Sequence, residues 1–410
     1  MIYFDNAATT YPKPKRVYEA MSKAMERYGA NPGRSGHKLS IETAVQVYEA
    51  REAAASMFNA ESAEDVVFTS NCTHALNFAL KGVLKRGDHV IISDLEHNSV
   101  SRPVFTLSEK GVITFDVASV DPDNDEKTVN NFKRLIKRNT KLIACAHGSN
   151  VWGLRAPIQK LGDMAREYDV LFLVDAAQTA GIVPIDIKKL GIDFFCTSGH
   201  KSLYGPPGTG LLITPLGSVI DTVFEGGTGN MSGSMAQPDG MPERLESGTV
   251  NTAGIIGLGA GIKYVSEKGI EHIYKQSMQI GRTVYDGLRK MKGVRLYTKS
   301  FREGRHLPVI SFNIDEVMSE DVTAMLSDEG FAIRGGLHCA PLAHEKMGTL
   351  KSGAARVSIG SFNTKRQAER LLTAIERIKA KNSSRQPREL TKYEQNLKAN
   401  KGKNIHKKPH

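Results

Sequence analysis

The chain has 410 residues, of which 40% are hydrophobic and 24% are charged, a composition that is ordinary for a globular enzyme. Its length exceeds what one hydrophobic core holds comfortably, so two domains of unequal size are expected. There is no run of about 18 apolar residues, and the start "MIYFDNAATT" lacks a basic region followed by an apolar run. We therefore expect neither a membrane span nor a signal peptide.

The net charge of +11 is concentrated near the C-terminal end. Residues 381–410 contain nine Lys or Arg and two Asp or Glu, and so carry +7 of the total. This tail is polar, so we expect at least its end to be disordered, with contact to an anionic partner as the alternative. The cysteines, Cys72, Cys145, Cys196 and Cys339, match neither a disulfide scaffold nor a zinc knuckle, and a reducing cytoplasm is the expected location.

Short apolar runs alternate with helical patterns between about residues 66 and 214. The runs are "DVVFTS", "HVIISD", "ITFDVAS", "KLIACAHGS", "DVLFLVDAAQ", "DFFCTSGHK" and "TGLLIT". Amphipathic stretches such as "THALNFALKGVLKR" and "IQKLGDMAREY" separate many of them. Runs without polar alternation fit strands buried on both faces, and strands separated by helices predict a mainly parallel sheet. Ligands bind beyond the carboxyl ends of such strands, so the polar residues that finish these runs are candidates for a site.

The chain changes character after residue 226. The stretch "GGTGNMSGSMAQPDGMPERLESGTVNT" is typical of a loop, and a helical pattern follows over about residues 253–268. The segments "GVRLYT", "LPVISFNI", "DVTAMLSDEGFAIRGG" and "AARVSIGSFNT" then mix strands and helices. They predict a smaller α+β domain.

Two apolar runs end in residues that could carry chemistry. Asp175 and Gln178 finish "FLVDAAQ", and Ser198, His200 and Lys201 finish "FFCTSGHK". Taken singly, an aspartate at a strand end is typical of a turn, and a lysine in a loop is typical of a solvated surface. Together they suggest more, because a Schiff-base lysine must be partly deprotonated. Pyridoxal phosphate needs such a lysine and an acid that keeps its pyridine nitrogen protonated.

These motifs resemble the class V branch of fold-type-I pyridoxal-phosphate enzymes. "VDAAQ" followed by "SGHK" and "YGPPGTG" carries the resemblance, together with "FDNAATTYPKP", "EHNS" and "ESGTVNTAGIIGLGAGI". The motifs stand in family order over about residues 2–377. The resemblance implies a homodimeric α/β fold with an N-terminal segment (1–16) against the small domain, a large cofactor domain with a mainly parallel sheet (17–256), a small α+β domain (257–380) and a tail outside the match (381–410).

The resemblance also implies roles for the matching residues. Lys201 would bind the cofactor covalently, Asp175 would pair with the pyridinium nitrogen, and Gln178 would contact the ring oxygen. His97, in "DLEHNSV", would stack on the ring and help to move protons. Contacts to the phosphate are expected from Cys72 and Thr73 at a helix N-terminus, from Ser198 and His200, and from Thr249 across a dimer interface. Asn150, in "HGSNVWG", and Arg356, in "AARVSIG", match positions that bind the substrate carboxylate.

Two departures from the family pattern stand out. Ser202 is an extra residue between Lys201 and "LYGP". Asn71 and Cys72 replace the Gly-Ala or Gly-Thr pair of many relatives, so the individual phosphate donors in this loop stay open.

The stretch "RGGLHCAPLAH", residues 334–344, resembles the "R-x-G-x-H-C-A-x-P" loop of group II cysteine desulfurases, the relatives of selenocysteine lyase, although Pro341 follows Ala340 directly. The resemblance implies that Cys339 attacks the substrate sulfur. A thiolate suits that task, because it is the strongest nucleophile near neutral pH and sulfur alone can hold a persulfide. Cys145 and Cys196 lie in apolar runs and are interpreted as core residues, whereas Cys72 stays open.

The sequence therefore predicts a pyridoxal-phosphate-dependent cysteine desulfurase that forms L-alanine and a persulfide on Cys339, with an acceptor protein as a candidate partner. The alternatives are a selenocysteine lyase, another class V lyase or aminotransferase, and a nucleic-acid binder that uses the basic tail. A metal site at His338, Cys339 and His344 lacks a recognisable fourth ligand, so no metal is expected. "GGTGNMSG" does not match a dinucleotide loop.

Overall fold

The computed structural model describes residues 1–33 and 36–383. Residues 384–410, which make up most of the predicted tail, lie outside the described residues. Within the described ranges, no helix has the length and apolar character that crossing a membrane requires.

A seven-stranded sheet has the order β2-β8-β7-β6-β5-β3-β4. Its strands are β2 (Val66–Thr69), β3 (Asp88–Ser93), β4 (Ile113–Ala118), β5 (Thr140–Ala146), β6 (Leu171–Asp175), β7 (Phe194–Ser198) and β8 (Gly210–Ile213). The five strands from β7 to β4 run parallel, and β8 is antiparallel to both of its neighbours. The predicted mainly parallel sheet is confirmed, and all strands except β8 end at the same edge.

Helices cover both faces of this sheet. They are α1 (Lys15–Arg27), α2 (Lys38–Phe58), α3 (Cys72–Val83), α4 (Asn98–Glu109), α5 (Asp125–Lys133), α6 (Ile158–Glu167) and α7 (Thr252–Lys268). Ile143 on β5 packs in a core with α2, α6 and α7, whereas its neighbour Leu142 packs with α3 and α4. Alternate strand residues point to opposite faces, so the apolar runs are buried on both sides.

Strand β4 is the exception to this burial. It lies at the edge of the sheet and, among the strands that the structure describes, pairs with β3 alone. Thr114 and Val117 are exposed, and the two residues between them are half-buried. The apolar character of "ITFDVAS" predicted a strand buried on both faces. Burial also depends on the position of the strand in the sheet, and the residues of the run do not indicate that position.

Two smaller sheets follow. β12-β10-β9 is antiparallel, and β1-β11 is a parallel pair. The strands are β1 (Ile2–Tyr3), β9 (Val294–Leu296), β10 (Val309–Ile314), β11 (Phe331–Ala332) and β12 (Ala355–Ser358), and the helices are α8 (Ile270–Lys290), α9 (Ser319–Asp328), α10 (Pro341–Met347) and α11 (Lys365–Ser383). Phe4 packs in their core with Phe312 and Val357, so the N-terminal residues belong to this smaller body.

Helix α7 spans the predicted boundary between residues 256 and 257. Its side chains Ile255, Leu258 and Ile262 pack in the core of the large sheet, together with α2. Gly269 separates α7 from α8, and α8 packs against α11 and β10. The packing therefore changes from the large core to the small one at Gly269.

We predict that Phe195→Ala lowers the free energy of unfolding by about 3–5 kcal/mol, because it leaves a cavity in the core. Phe195 is fully buried, and its ring centroid lies 4.5 Å from that of Phe58. Urea unfolding would measure the loss. The control is Phe105→Ala, where the side chain is 57% exposed and the change should stay within about 0.5 kcal/mol. Equal losses in the two variants would contradict the described core.

Candidate active site

A cavity of about 210 Å³ lies at the edge where the parallel strands end. The sequence-predicted residues that line it are Cys72, Thr73, His97, Asn150, Asp175, Gln178, Ser198, His200, Lys201 and Arg356. Most of them follow β2, β3, β5, β6 or β7, so the shared direction of these strands brings them together. Arg356 comes from β12 of the small three-stranded sheet, so the cavity lies between the large and the small sheets.

Lys201 and Asp175 are the opposite charges of this cavity. Desolvation lowers the pKa of Lys201, and the Asp175 carboxylate opposes that shift. Asp175 is buried and accepts hydrogen bonds from the backbone N–H of Ala177 (2.9 Å) and the thiol of Cys72 (3.5 Å). The lysine amine is therefore easier to deprotonate than a solvated one, and the carboxylate has a fixed orientation.

Burial favours the neutral form of His97 and His200, two of the three histidines that line the cavity. The pKa of His97 is lowered, mainly by desolvation, and the pKa of His200 falls to about 4 for the same reason with further repulsion from Lys201. His97 is the N-cap of α4, and its Nδ1 accepts the backbone N–H of Ser99 (3.1 Å). The proton of the neutral His97 ring therefore resides on Nε2.

Arg356 is the most deeply buried cation of the site. It is 1% exposed, its Nη2 donates to Asp5 Oδ1 (2.6 Å), and its Nη1 donates to the carbonyl of Asn150 (2.8 Å). Its Nε is buried without a hydrogen-bond partner among the described residues. The Nε of Arg356 is therefore available as a donor to a ligand. The side-chain amide of Asn150 donates elsewhere, to the carbonyl of His338 (2.8 Å).

Sequence reasoning missed two residues of this site. Arg334 lines the cavity, and Asp5 is the counter-ion of Arg356. Arg334 begins the loop motif "RGGLHCAPLAH", which was the available signal for it. Asp5 belongs to "FDNAATT", but nothing in the sequence indicates that it pairs with a residue 351 positions away.

Cys339 and Thr249 do not line the cavity. Cys339 is exposed on the loop next to His338, which does line it, and the carbonyl of Cys339 accepts the backbone N–H of Asn98 (2.7 Å). Thr249 borders a second cavity beside Ser70. Its predicted contact with the phosphate of a partner subunit stays a prediction.

The other three cysteines are buried. Cys145 and Cys196 are 0% exposed on β5 and β7, in agreement with their interpretation as core residues.

The two histidines considered as metal ligands contact each other: His338 and His344 hydrogen-bond through their ring nitrogens (3.3 Å). Within the described ranges, no group of three His, Cys, Asp or Glu has a geometry for a metal ion.

Comparison with known proteins decides the family. The aminotransferase class-V family model matches residues 2–371. The chain belongs to this family. Its curated relatives include a probable cysteine desulfurase from Pyrococcus abyssi, which is 34% identical and for which the match covers 92% of this chain and 94% of the relative. A cysteine desulfurase from Klebsiella pneumoniae subsp. pneumoniae is 33% identical, with coverage of 92% and 93%.

Solved structures agree with this membership of class V. The apo cysteine desulfurase from Thermococcus onnurineus NA1 has a TM-score of 0.84 at 32% identity, with 93% of this chain and 95% of that chain covered. The cysteine desulfurase CsdA (S-sulfonic acid) from Escherichia coli has a TM-score of 0.81 at 28% identity, with 92% and 94% covered. The predicted class V family and fold-type-I architecture are confirmed.

Glu96 is a buried carboxyl group next to the site. Its Oε1 accepts the backbone N–H of Ala146 (2.7 Å) and the hydroxyl of Ser93, and desolvation raises its pKa from 4.5 to about 8. Between these values the folded protein keeps a proton that the unfolded chain loses. Folding stability from this group therefore falls as the pH rises from about 4.5 to 8, by up to about 1.4 kcal/mol per unit.

We predict that Glu96→Gln removes this pH dependence. The stability of the variant minus that of the wild type should rise between pH 5 and 8, as measured by urea unfolding at several pH values. Glu109→Gln, at an exposed position on α4, is the control and should give a flat difference. A flat difference for Glu96→Gln as well would show that Glu96 is ionised in the fold.

Proposed function

We propose that this chain is a pyridoxal-phosphate-dependent cysteine desulfurase, which converts L-cysteine into L-alanine and transfers the sulfur to Cys339. The observation that carries the proposal is one cavity lined by Lys201, Asp175 and Arg356 and bordered by the loop that exposes the Cys339 thiol. The named relatives in Pyrococcus abyssi and Klebsiella pneumoniae support the same activity.

The residues present fit the cofactor. Ser198 Oγ is buried without a hydrogen-bond partner among the described residues and lines the cavity. Cys72 and Thr73 begin α3, where backbone N–H groups have no intrahelical acceptor and the helix dipole favours an anion. A phosphate group satisfies both. Pyridoxal phosphate, when bound, supplies an electron sink for charge that develops next to the substrate's amino group.

The cavity charges prepare the chain for this cofactor. The lowered pKa of Lys201 makes its amine available both to bond a carbonyl carbon and to carry a proton. Asp175 would hold the proton of the pyridine nitrogen, since it is a buried carboxylate fixed by the Ala177 N–H. The Nε2 of Gln178 donates to the carbonyl of Ala7 (2.9 Å), which orients its amide at the edge of the cavity.

Arg356 and Arg334 would bind the substrate carboxylate. The Nε of Arg356 is a buried donor that has no hydrogen-bond acceptor among the described residues. A carboxylate oxygen of the substrate would be a suitable acceptor for it. Asp5 holds the Arg356 guanidinium in place from the other side. This arrangement fixes the amino acid by its main-chain carboxylate and leaves its side chain free to meet the loop.

Cys339 would accept the sulfur. Its thiolate forms a bond to the sulfur of the substrate while the Cβ–S bond breaks. The electron pair of the broken bond stays on Cβ and takes up a proton, which gives L-alanine and a persulfide on Cys339. Cys339 suits this role because it is the exposed cysteine among the four, and the other three are buried.

The proposal includes a homodimer, in which Thr249 approaches the phosphate of the partner subunit, and a sulfur-acceptor protein that removes the persulfide. It also includes a cytoplasmic location. Sparse cysteines that are all free in the described structure support that location.

Lys201→Ala should abolish covalent attachment of the cofactor. Borohydride reduction of the wild-type holoenzyme should attach pyridoxal phosphate permanently to the peptide that contains Lys201, as measured by mass spectrometry. Lys13→Ala is the matched control: the Lys13 amine donates to the carbonyl of His200, and its loss should leave the labelling intact. Labelling of a different lysine in the wild type would overturn the assignment.

Cys339→Ser should lower the rate of alanine formation from L-cysteine by roughly 1,000-fold or more, because a hydroxyl neither attacks sulfur well nor holds a persulfide. The absorbance of the bound cofactor should be unchanged, since Lys201 and Asp175 do not involve the thiol. Cys145→Ser, at a buried strand position, should retain the wild-type rate in the folded fraction. Retention of most of the rate by Cys339→Ser would favour a lyase that expels sulfide directly.

A further inference from the structure

The backbone at Cys339 is strained. His338 and Cys339 have φ angles of 51° and 56°, and Gly336, two positions earlier, has a φ of 98°. The left-handed region disfavours residues with a side chain, and two such residues in succession persist only where their surroundings fix them. The loop that presents the thiol therefore depends on specific contacts.

Two carbonyl groups of this turn are held by other parts of the chain. The side-chain amide of Asn150 donates to the carbonyl of His338 (2.8 Å), and the first backbone N–H of α4, from Asn98, donates to the carbonyl of Cys339 (2.7 Å). These bonds dock the turn on the large sheet. They do not fix the side chain of His338, which lies on the inner side of the loop and is 3% exposed.

A chain of hydrogen bonds fixes that side chain. His338 Nε2 lies 3.3 Å from the carbonyl oxygen of Arg334, His338 Nδ1 lies 3.3 Å from His344 Nε2, and His344 Nδ1 lies 2.7 Å from Thr349 Oγ1. The two rings are nearly parallel, with an interplanar angle of 8°. This series of hydrogen bonds closes the base of the loop, because it links residue 334 to residue 338 and then to α10.

The bond to the Arg334 carbonyl determines which atom donates and which accepts in every hydrogen bond of this series. A carbonyl oxygen only accepts, so His338 Nε2 carries a proton and donates to Arg334. Nδ1 of a neutral His338 is then an acceptor, so His344 Nε2 must donate to it. His344 Nδ1 is in turn an acceptor, and the hydroxyl of Thr349 donates to it.

Burial supports the neutral form that this direction requires. His344 and Thr349 are 0% and 1% exposed. Desolvation is the main cause that lowers the pKa of His338 to about 2 and that of His344 to about 4, and Arg356 adds to both shifts. Each ring therefore provides one donor and one acceptor at neutral pH.

We propose that His344 is a positioning residue for Cys339: together with Thr349 it holds His338 on the Arg334 carbonyl and so maintains the left-handed turn at Cys339, on the loop that borders the cavity. The part that concerns sulfur transfer rests on the proposed function. The part that concerns the turn does not.

The test compares His344→Leu with His344→Gln in the holoenzyme. Leucine removes both hydrogen bonds, whereas the glutamine amide donates with Nε2 and accepts with Oε1, as the histidine does. We expect His344→Leu to lower kcat for alanine formation by about 10- to 100-fold, since small misplacements of a reacting group have effects of this size, with KM for L-cysteine within about twofold. His344→Gln should recover most of kcat.

Matched variants separate this effect from a general loss of stability. His306 is also a buried histidine, and its Nδ1 accepts the backbone N–H of Arg302 away from the loop. His306→Leu should keep kcat within about twofold of the wild type. Thr349→Val, which removes only the hydroxyl, should lower kcat in the same direction as His344→Leu. An equal loss in His306→Leu, or no recovery in His344→Gln, would overturn the proposal.

Deuterium exchange of residues 334–340 tests the turn without reference to activity. The amides of Arg334, Gly336 and Ala340 are hydrogen-bonded to Arg356 O, Ser319 Oγ and Leu337 O. Exchange in this peptide should be about tenfold faster in His344→Leu than in the wild type and in His344→Gln. Unchanged exchange overturns the proposal. If the wild type forms no alanine while exchange responds as expected, the proposed function fails and the positioning role of His344 stands.

Discussion

The ion pair between the buried Arg356 and the partly buried Asp5 is the contact on which the cavity depends. A guanidinium that is 1% exposed is costly unless it is paired, and removing its partner leaves an uncompensated buried charge. The pair joins β12 of the small sheet to the N-terminal segment, and the bond from Arg356 to the carbonyl of Asn150 adds the loop after β5. One side chain thus fixes the relative positions of the large sheet, the small sheet and the N-terminus.

The N-terminal segment extends this constraint to the lysine. After Asp5 the chain passes the cavity, where Ala7 accepts from Gln178, and the hydroxyl of Thr10 then donates to the carbonyl of Lys201 (2.8 Å). Residues 5–10 therefore connect the proposed carboxylate-binding arginine to the backbone of the proposed cofactor-binding lysine.

The sequence predicted those parts of the site that follow from local pattern. Apolar runs between amphipathic stretches predicted the parallel sheet, and the shared direction of its strands predicted that Asp175 and Lys201 would meet. The family resemblance, not the strand pattern, added His97 to them. The pairing of Asp5 with Arg356 was not predictable, since no periodicity links residues that are 351 positions apart. The sequence suggested for His344 only a metal site that lacks a fourth ligand. Its hydrogen-bond partners, the His338 ring and the Thr349 hydroxyl, become apparent only when the loop and α10 are folded.

Charge balance in the cavity favours a particular class of substrate. Lys201 faces the Asp175 carboxylate, and Arg356 is paired with Asp5, whereas Arg334 forms no ion pair within the described part of the chain. The positive charge of Arg334 is thus left for a ligand. An amino acid with a single carboxylate matches that charge, and a second carboxylate on the side chain would lie unpaired in a desolvated site. A neutral side chain such as that of cysteine satisfies this electrostatic condition, and the exposed Cys339, next to the cavity-lining His338, adds a nucleophile that could react with it.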